Sequence, residues 1–329
     1  MITRRHLTTT SLAALASTAL GHSRRASAQL IGQPSRIVVG FTPGGSVDTI
    51  ARLVAPHMGD YAPTLIVDNR AGAGGRIGLQ IAQTSPADGT TMVLTPASMM
   101  VIYPHVYKNL TYDPRSDFVP VAELCSIGFT VSIGPMVPAE VRTLADFIEW
   151  CKANPNLASY GTPGAGTMAH FVGVMLAQAA NVDLVHVGYK GGAPAIQDLL
   201  GGQIACNILV TSNALPHVQA GKIRALATTG TERAPNLPDI PTAREAGFSI
   251  EAEEWFGMFM PKGTPAELVA KANTAINAAL QTEPVRTGLT NQSFDVGRGG
   301  SPEQLAQLLA ADLAKWGPVV KASGYTAQD

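Results

Sequence analysis

Three glycine-rich turns carry the residues that could bind a small anion. Their sequences are FTPGGSVD at 41–48, YGTPGAGTMAH at 160–170 and VGYKGGAP at 187–194. Each turn lies between a predicted strand and a predicted helix start, where backbone N–H groups are free and glycine lets an anion approach. Ligands of open α/β sheets gather at such strand ends. If the first two turns lie on opposite lobes, they could hold one anion across a cleft.

The anion that these turns predict is a carboxylate rather than a phosphate. No GxxxxGK[ST] motif occurs, GxGxxG is not matched at 164–169, and the run GAGGRIG at 72–78 lacks dinucleotide spacing. We interpret that last run as a glycine-rich connection to a helix. The first two turns contain no lysine, but they offer the hydroxyl groups of Ser46, Thr162 and Thr167. Backbone N–H groups and hydroxyls together suit a carboxylate.

Two titratable residues in the turns have more than one interpretation. His170 could be a general base, but a histidine three residues into a helix more often contacts a ligand or packs. Asp48 could complement the dipole of its helix, or accept a hydrogen bond from a ligand hydroxyl or ammonium group. No GxSxG elbow occurs, and no cysteine–histidine pair can be argued from the sequence. We therefore expect no catalytic residue and no enzymatic activity.

The cysteines and histidines predict neither a metal site nor a disulfide framework. Three widely spaced cysteines, Cys125, Cys151 and Cys206, are expected to be buried thiols, although one disulfide pair remains possible. The seven histidines include no HExxH motif and no cluster with metal-ligand spacing. We expect no metal and no cofactor.

Strand and helix patterns alternate along the chain and predict an α/β fold with mainly parallel sheets flanked by helices. Strands are predicted at 36–41, 64–67, 91–94, 121–133, 158–161, 183–187, 204–210, 225–228 and 253–260. Helices are predicted at 46–58, 77–84, 143–153, 167–180, 193–200, 265–281 and 302–323.

Two of the apolar runs could join two lobes. A chain that leaves the first lobe at 121–133 and returns at 253–260 would form a hinge of two crossing segments. Two sequential domains with one linker are the alternative. Because no Pro/Gly/Ser-rich linker separates the halves, the hinge is favoured.

The chain of 329 residues is 46% hydrophobic and 14% charged, which is typical of a globular protein with room for two cores.

Residues 1–28 predict an export signal, with Arg4 and Arg5 before the mildly apolar segment 11–20 and a cleavage site at 26–28. A twin-arginine signal is favoured over general secretion, and a disordered basic tail is the remaining alternative. Without these residues, 19 Lys and Arg face 24 Asp and Glu, a net charge of −5. A nucleic-acid partner is therefore not expected.

The chain resembles the Bug family, the extracytoplasmic solute receptors related to tripartite tricarboxylate transporters. The resemblance covers nearly all of the mature chain. It rests on RIVVGFTPGGSVDTIAR, VDNRAGAGGRIG, SPADGTTMVLTPAS, LTYDPRSDFVPVAEL, YGTPGAGTMAH, VHVGYKGGAPAIQDLLGGQI, AGKIRALATTGTERAPNLPDIPTAREAGF and EWFGMFMPKGTP, in that order. It implies a periplasmic, two-lobed binding protein of type II that closes over a small carboxylate. The implied lobes are 29–127 with 254–329, and 128–253.

The resemblance also implies which residues contact the ligand. They are Phe41, Gly44, Gly45, Ser46 and Asp48 in the first turn, Ala97 after the strand at 91–94, Thr162, Gly164, Gly166, Thr167 and His170 in the second turn, Tyr189 in the third turn, and Leu209.

Some positions depart from the family pattern. Gly188 stands where proline is common, and Ala205 and Leu209 stand where the family commonly has acids. The missing acids argue against an amino-acid ligand and favour an apolar or aromatic acid, whereas Asp48 argues the other way. A dicarboxylic acid also fits the family.

The partners that the resemblance implies are membrane permease subunits of the tripartite tricarboxylate type. A sensor kinase that receives the ligand signal is an alternative, and an exported enzyme acting on small acids is a weaker one. We expect the receptor to be a monomer.

Overall fold

The computed structural model describes residues 31–297 and 299–327. The predicted export signal lies outside these residues. Within them the chain forms ten α-helices and ten strands, besides three short 3-10 segments and one π-helical segment. The strands are β1 (Ser35–Val39), β2 (Leu65–Asn69), β3 (Thr91–Pro96), β4 (Phe118–Ile133), β5 (Ser159–Thr162), β6 (Val185–Gly188), β7 (Cys206–Val210), β8 (Arg224–Thr228), β9 (Glu253–Pro261) and β10 (Asp295–Val296). The helices are α1 (Ser46–Val54), α2 (Arg76–Gln83), α3 (Tyr103–Val106), α4 (Leu144–Ala153), α5 (Met168–Ala180), α6 (Gly192–Leu200), α7 (Thr211–Gln219), α8 (Ala266–Gln281), α9 (Glu283–Thr290) and α10 (Pro302–Ser323).

The long strand β4 takes part in both halves of the sheet. Its first part pairs with β9, as in the register of Ile127 with Glu254, and its last five residues pair with β7 and β8. The full strand order is β2-β1-β3-β9-β4-β7-β5-β6, with β8 and β10 also paired to β4. The two apolar runs thus form the crossing strands β4 and β9, which we identify with the predicted hinge segments. The lobe boundaries at 127/128 and 253/254 stay predictions.

The sheets are mixed rather than mainly parallel. A parallel group lies at each end of the strand order: β1 with β2 and β3, and β5 with β6 and β7. The pairs that β4 and β9 make are antiparallel, because these strands run between the lobes instead of following a crossover helix. We call the half with β1–β3 lobe one and the half with β5–β8 lobe two.

Burial of β1 explains why the first turn has a rigid base. Ile37 and Val39 pack in one core with Ile50 and Val54 of α1, and Val38 packs on the other face of the sheet. All five side chains are fully buried, and each contributes about 1.5–3 kcal/mol of burial free energy. The strand and the helix that flank the first turn are therefore held together by one core.

The glycine run at 72–78 is a packing connection, as predicted. A Cβ atom at Gly40 would lie 2.6 Å from the carbonyl oxygen of Gly75, and one at Gly78 would lie 2.7 Å from the Cα atom of Gly40. Glycine at these positions lets the start of α2 approach the end of β1. The run therefore brings two backbones together.

The cysteines are buried free thiols, so that prediction is confirmed. Within the described ranges, no helix combines the length and apolar character that crossing a bilayer requires. The same residues contain no group of three or more histidine, cysteine or acidic side chains arranged to hold a metal ion.

Candidate functional site

Asp48 fixes the conformation of the first turn. Its carboxylate accepts hydrogen bonds from the Gly44 N–H at 2.8 Å, from Arg52 Nε at 2.9 and 3.0 Å, and from Asn69 Nδ2 at 2.9 Å. Asn69 Nδ2 also lies 3.1 Å from the carbonyl oxygen of Phe41 and donates to it. Asp48 as a whole residue is only 3% exposed to solvent. Both carboxylate oxygens accept hydrogen bonds from residues of lobe one, so Asp48 stabilises the conformation of the first turn.

The ionisation of Asp48 follows from these contacts. Burial raises the pKa of the carboxyl, but the hydrogen bonds from Arg52, Gly44 and Asn69 outweigh it, and the pKa is lowered below its usual value. Asp48 is therefore ionised at neutral pH and also complements the N-terminal end of α1. The dipole interpretation of this acid fits the structure, with Arg52 and Asn69 as added partners.

The first turn presents free backbone donors beyond Asp48. Helix α1 begins at Ser46 with the extended Gly45 before it, and no side chain caps it. Among residues 31–297 and 299–327, no group accepts a hydrogen bond from the N–H groups of Gly45, Ser46 or Val47. Three adjacent donors at a helix start form an anion-binding arrangement.

The start of α7 faces this turn from lobe two. Ser46 Oγ lies 3.4 Å from Ser212 Oγ and donates to Asn213 Oδ1 at 3.3 Å. Helix α7 also lacks a side-chain cap, and no described group accepts from the N–H groups of Ser212 and Asn213. Two helix starts with free donors therefore meet between the lobes.

The second turn is held by its own hydrogen bonds. Thr167 caps α5 and donates its hydroxyl to the Gly164 carbonyl oxygen at 2.8 Å. The Gly166 N–H donates to His170 Nδ1 at 3.1 Å, so the neutral imidazole carries its proton on Nε2. Gly166 has φ +76°, a conformation that favours glycine. In this arrangement His170 organises the turn.

Two histidines stack behind the second turn. The rings of His170 and His186 have centroids 4.0 Å apart, and His186 Nε2 lies 2.7 Å from Thr162 Oγ1. Burial lowers the pKa of His170 to about 3, with a further lowering by His186, and burial lowers the pKa of His186 to about 4. Both rings are neutral at pH 7, so they supply no positive charge to an anion. Tyr325 packs edge-on against His170, with ring centroids 4.7 Å apart.

The third turn lies beside the second and beside α7. The Tyr189 N–H donates to the Thr162 carbonyl oxygen at 3.0 Å, and the Tyr189 hydroxyl donates to Asp198 at 2.8 Å. A Cβ atom at Gly192 would lie 2.7 Å from Asn213 Nδ2, so the start of α6 packs against the start of α7. The second turn, the third turn and the start of α7 thus lie together in lobe two. The strand–helix pattern predicts this for the two turns, whereas it does not predict α7.

Two of the predicted contact residues are buried in packing positions. Ala97 and Leu209 are fully buried. Leu209 packs in a cluster with Ala195, Leu199 and Ala214 under α6 and α7. Their contact with a ligand stays a prediction, as does that of the other residues of the predicted set.

Sequence reasoning missed four residues that join the lobes here: Ser98, Ser212, Asn213 and Glu254. The helix α7 was not predicted. Pro216 inside the segment and the polar start Thr211-Ser212-Asn213 weaken its helical pattern. A usable signal was present, since serine and asparagine are common at helix starts and Leu215 and Val218 have helical spacing.

A family model that matches most of the chain shows which family the protein belongs to. Residues 50–325 match the family model described as "Tripartite tricarboxylate transporter family receptor". The chain belongs to this family. Its members are solute-binding receptors and not enzymes, so the predicted Bug-type resemblance and the absence of enzymatic activity are confirmed.

Relatives of known sequence or structure agree with this assignment. Protein BugT of Bordetella pertussis is 31% identical over 295 residues, which cover 89% of this chain and 90% of BugT. MatC (Rpa3494) from Rhodopseudomonas palustris with bound malate is 31% identical, with a TM-score of 0.80 over 88% of this chain and 99% of MatC. R. palustris Rpa4515 with adipate is 32% identical, with a TM-score of 0.84 over 89% of this chain and 98% of Rpa4515. The predicted two-lobed binding-protein fold is thereby confirmed.

Proposed function

We propose that this tripartite tricarboxylate transporter family receptor captures a small carboxylate between the starts of α1 and α7. The observation that carries the proposal is the meeting of two uncapped helix starts, joined through Ser46 to Ser212 and Asn213. A carboxylate placed beside Ser46 would accept the free N–H groups of both helices. Capture requires no chemistry, only closure of the lobes around the anion.

The ligand that fits this site has no ammonium group. Asp48 is the acid of the first turn, and its oxygens already accept from Gly44, Arg52 and Asn69. Ala205 and Leu209, where the Bug-family resemblance leads us to expect acids, are apolar and fully buried. An ammonium group would therefore lose its hydration without gaining a carboxylate partner, which is costly. We infer that aspartate and glutamate bind poorly.

The ligand class that we propose is a small dicarboxylic acid. Malate and adipate occupy the two structural relatives described above, and both are dicarboxylic acids. An aromatic acid, which the apolar Ala205 and Leu209 favour, is the other outcome that a binding screen would separate.

The family assignment supports a proposal about where the receptor works and to which partner it delivers its ligand. We propose that the chain is exported to the periplasm by the signal at 1–28 and delivers its ligand to a tripartite tricarboxylate-type permease. Transport assays with and without the permease genes would separate delivery from signalling to a sensor kinase.

The binding site is tested by two variants at one position. Ser46 is the first residue of α1, where proline is well tolerated, and Gly45 before it is extended, as proline requires. Ser46→Pro therefore removes one N–H and the hydroxyl with little disturbance of the helix, whereas Ser46→Ala removes only the hydroxyl. Loss of an N–H bond to a carboxylate is worth about 1.5–3 kcal/mol.

Thermal-shift screening against malate, adipate, benzoate, aspartate and glutamate would first identify a ligand, and calorimetry would then compare the variants. We expect Ser46→Pro to lose about 10- to 100-fold in affinity and Ser46→Ala to lose less. Wild-type affinity in Ser46→Pro, with urea unfolding unchanged, would reject the site. Tight binding of aspartate would reject the proposed ligand class.

A further inference from the structure

A chain of buried hydrogen bonds joins the two lobes away from Ser46. Glu254 lies on β9, and its Oε1 accepts the Ser98 N–H at 2.6 Å while its Oε2 accepts the Ser98 hydroxyl at 2.8 Å. Ser98 Oγ in turn accepts the Met168 N–H at 3.0 Å. Ser98 follows β3 of lobe one, whereas Met168 is the first residue of α5 in lobe two. Glu254 is 5% exposed and Ser98 is 3% exposed.

The direction of these bonds is set by the single proton of the Ser98 hydroxyl. Because that proton is donated to Glu254, the remaining lone pairs of Oγ can only accept. The partner they meet is the Met168 N–H, one of the donors that a helix leaves unpaired at its start. Glu254 therefore orients Ser98 as an acceptor toward α5.

The groups around Glu254 act on its ionisation in opposite directions, because burial and Asp312 raise its pKa whereas the bonds from Ser98 lower it. Burial raises the pKa of Glu254 to about 7, although the two hydrogen bonds from Ser98 lower it. Asp312 of α10 and Tyr103 of α3 are the nearby titratable groups, and the Asp312 carboxylate accepts the Trp255 indole N–H at 2.8 Å. The positive end of α5 lies on the other side of Ser98. It compensates the negative charge that the Glu254 carboxylate carries when it is ionised.

We propose that Ser98 and Glu254 form a latch between the lobes that holds the start of α5 against lobe one and favours the closed, ligand-capturing arrangement. Both are positioning residues, since Ser98 acts on α5 and Glu254 acts through Ser98. The link to capture rests on the proposed function, whereas the bond to Met168 does not. No charged group of α5 is needed, because the latch uses a backbone N–H.

The bond to Met168 can be observed directly. Selective ¹⁵N-methionine labelling gives few amide signals, because the chain contains ten methionines, and Met168→Leu assigns the signal of Met168. In Ser98→Ala we expect the Met168 amide to exchange with solvent roughly tenfold faster, with its proton resonance shifted upfield. Glu254→Gln should give a smaller change in the same direction, because an amide group at this position cannot accept both Ser98 bonds.

Matched controls separate the latch from general destabilisation. Ser85→Ala removes a hydroxyl that bonds only within lobe one, to the Ile81 carbonyl oxygen and Arg36. Glu267→Gln removes an exposed carboxylate from α8. Both controls should leave the Met168 signal unchanged. In all variants the other methionine amides should stay unchanged, apart from those of Met99 and Met100, which follow Ser98 directly in the sequence.

The affinity of the variants for the acid found in the screen completes the test. We expect Ser98→Ala to bind at least threefold more weakly than wild type, with Ser85→Ala unchanged. Unchanged Met168 exchange in both Ser98→Ala and Glu254→Gln would overturn the latch, as would faster exchange with wild-type affinity. If no acid binds the wild-type protein, the proposed function fails, while the Met168 measurement still decides whether the bond between the lobes exists.

Discussion

The replacement Asp48→Ala separates a structural role of this acid from a ligand-binding one. In the structure the carboxylate holds the Gly44 N–H, the Asn69 amide and the Arg52 guanidinium, all within lobe one. Removing it leaves three donors without their acceptor but removes no group that faces α7. We therefore expect the main loss to appear in the stability of the protein.

The size of that loss can be estimated from the exposure of the partners. The Gly44 N–H and Asn69 Nδ2 each lose a bond to a charged acceptor, about 1 kcal/mol apiece where water can partly replace it. The Arg52 side chain is 54% exposed, so its ion pair adds only about 0.5 kcal/mol. The free energy of unfolding should fall by about 2–3 kcal/mol. Affinity should fall less than tenfold, through a less ordered turn.

Urea unfolding and calorimetry with the screened acid would measure both quantities. Asp146→Ala is the matched control, because Asp146 is also a first-turn acid but caps the distant helix α4. An affinity loss above about 100-fold, with unfolding changed by less than about 0.5 kcal/mol, would refute the structural role. It would place the carboxylate on the ligand instead.

The pH dependence gives a second check on Asp48. Its pKa is lowered in the folded protein, so its stabilising contribution is present above its ordinary value of 3.8 and is lost as the pH falls through the folded-state pKa. The difference in unfolding free energy between wild type and Asp48→Ala should be constant near neutral pH and narrow below about pH 4.

Two further predictions concern neighbouring positions. Gly44 has φ +83° whereas Gly45 has φ −80°. Gly44→Ala should therefore lower the free energy of unfolding by about 1–3 kcal/mol, and Gly45→Ala should lower it little, as measured by urea unfolding. Equal losses would contradict the assigned conformations. Leu209→Ala should lower the free energy of unfolding by about 2–5 kcal/mol, because it opens a cavity under α6 and α7. Since Leu209 packs in that cluster, we expect the ligand affinity to stay unchanged. A large loss of affinity at unchanged stability would show that Leu209 contacts the ligand.

Local patterns predicted the elements that carry the turns. The helix predicted from 46 is α1, and the helix predicted at 167–180 is α5 with Thr167 as its cap. These predictions hold because each relies on residues within one turn of each other. Part of the role of Asp48 was also visible, since Arg52 stands four residues later on the same helix face.

Contacts between distant segments could not be predicted in the same way. Asn69 reaches Asp48 only because β2 pairs with β1. Ser98 meets Met168, and Ser46 meets Asn213, across 70 and 167 residues of sequence. Such pairs depend on how the lobes pack, which hydrophobic periodicity does not encode. From the sequence we expect the second turn to lie opposite the first. In the structure it is the start of α7 that contacts Ser46.

The position of α7 explains why closure should depend on an anion. Helix starts carry partial positive charge, so bringing the starts of α1 and α7 together without a ligand is electrostatically unfavourable. A carboxylate between them reverses the sign of the interaction with both helices, each worth about 0.3–1 kcal/mol and up to about 2 kcal/mol when partly buried. The ligand then binds the closed arrangement better than the open one, which is what a population shift requires.

A neutral ester or amide of the same acid should therefore bind weakly and leave the lobes open, and small-angle X-ray scattering with the acid and its amide would compare the two states. Equal compaction by both compounds would show that closure depends on shape and not on charge.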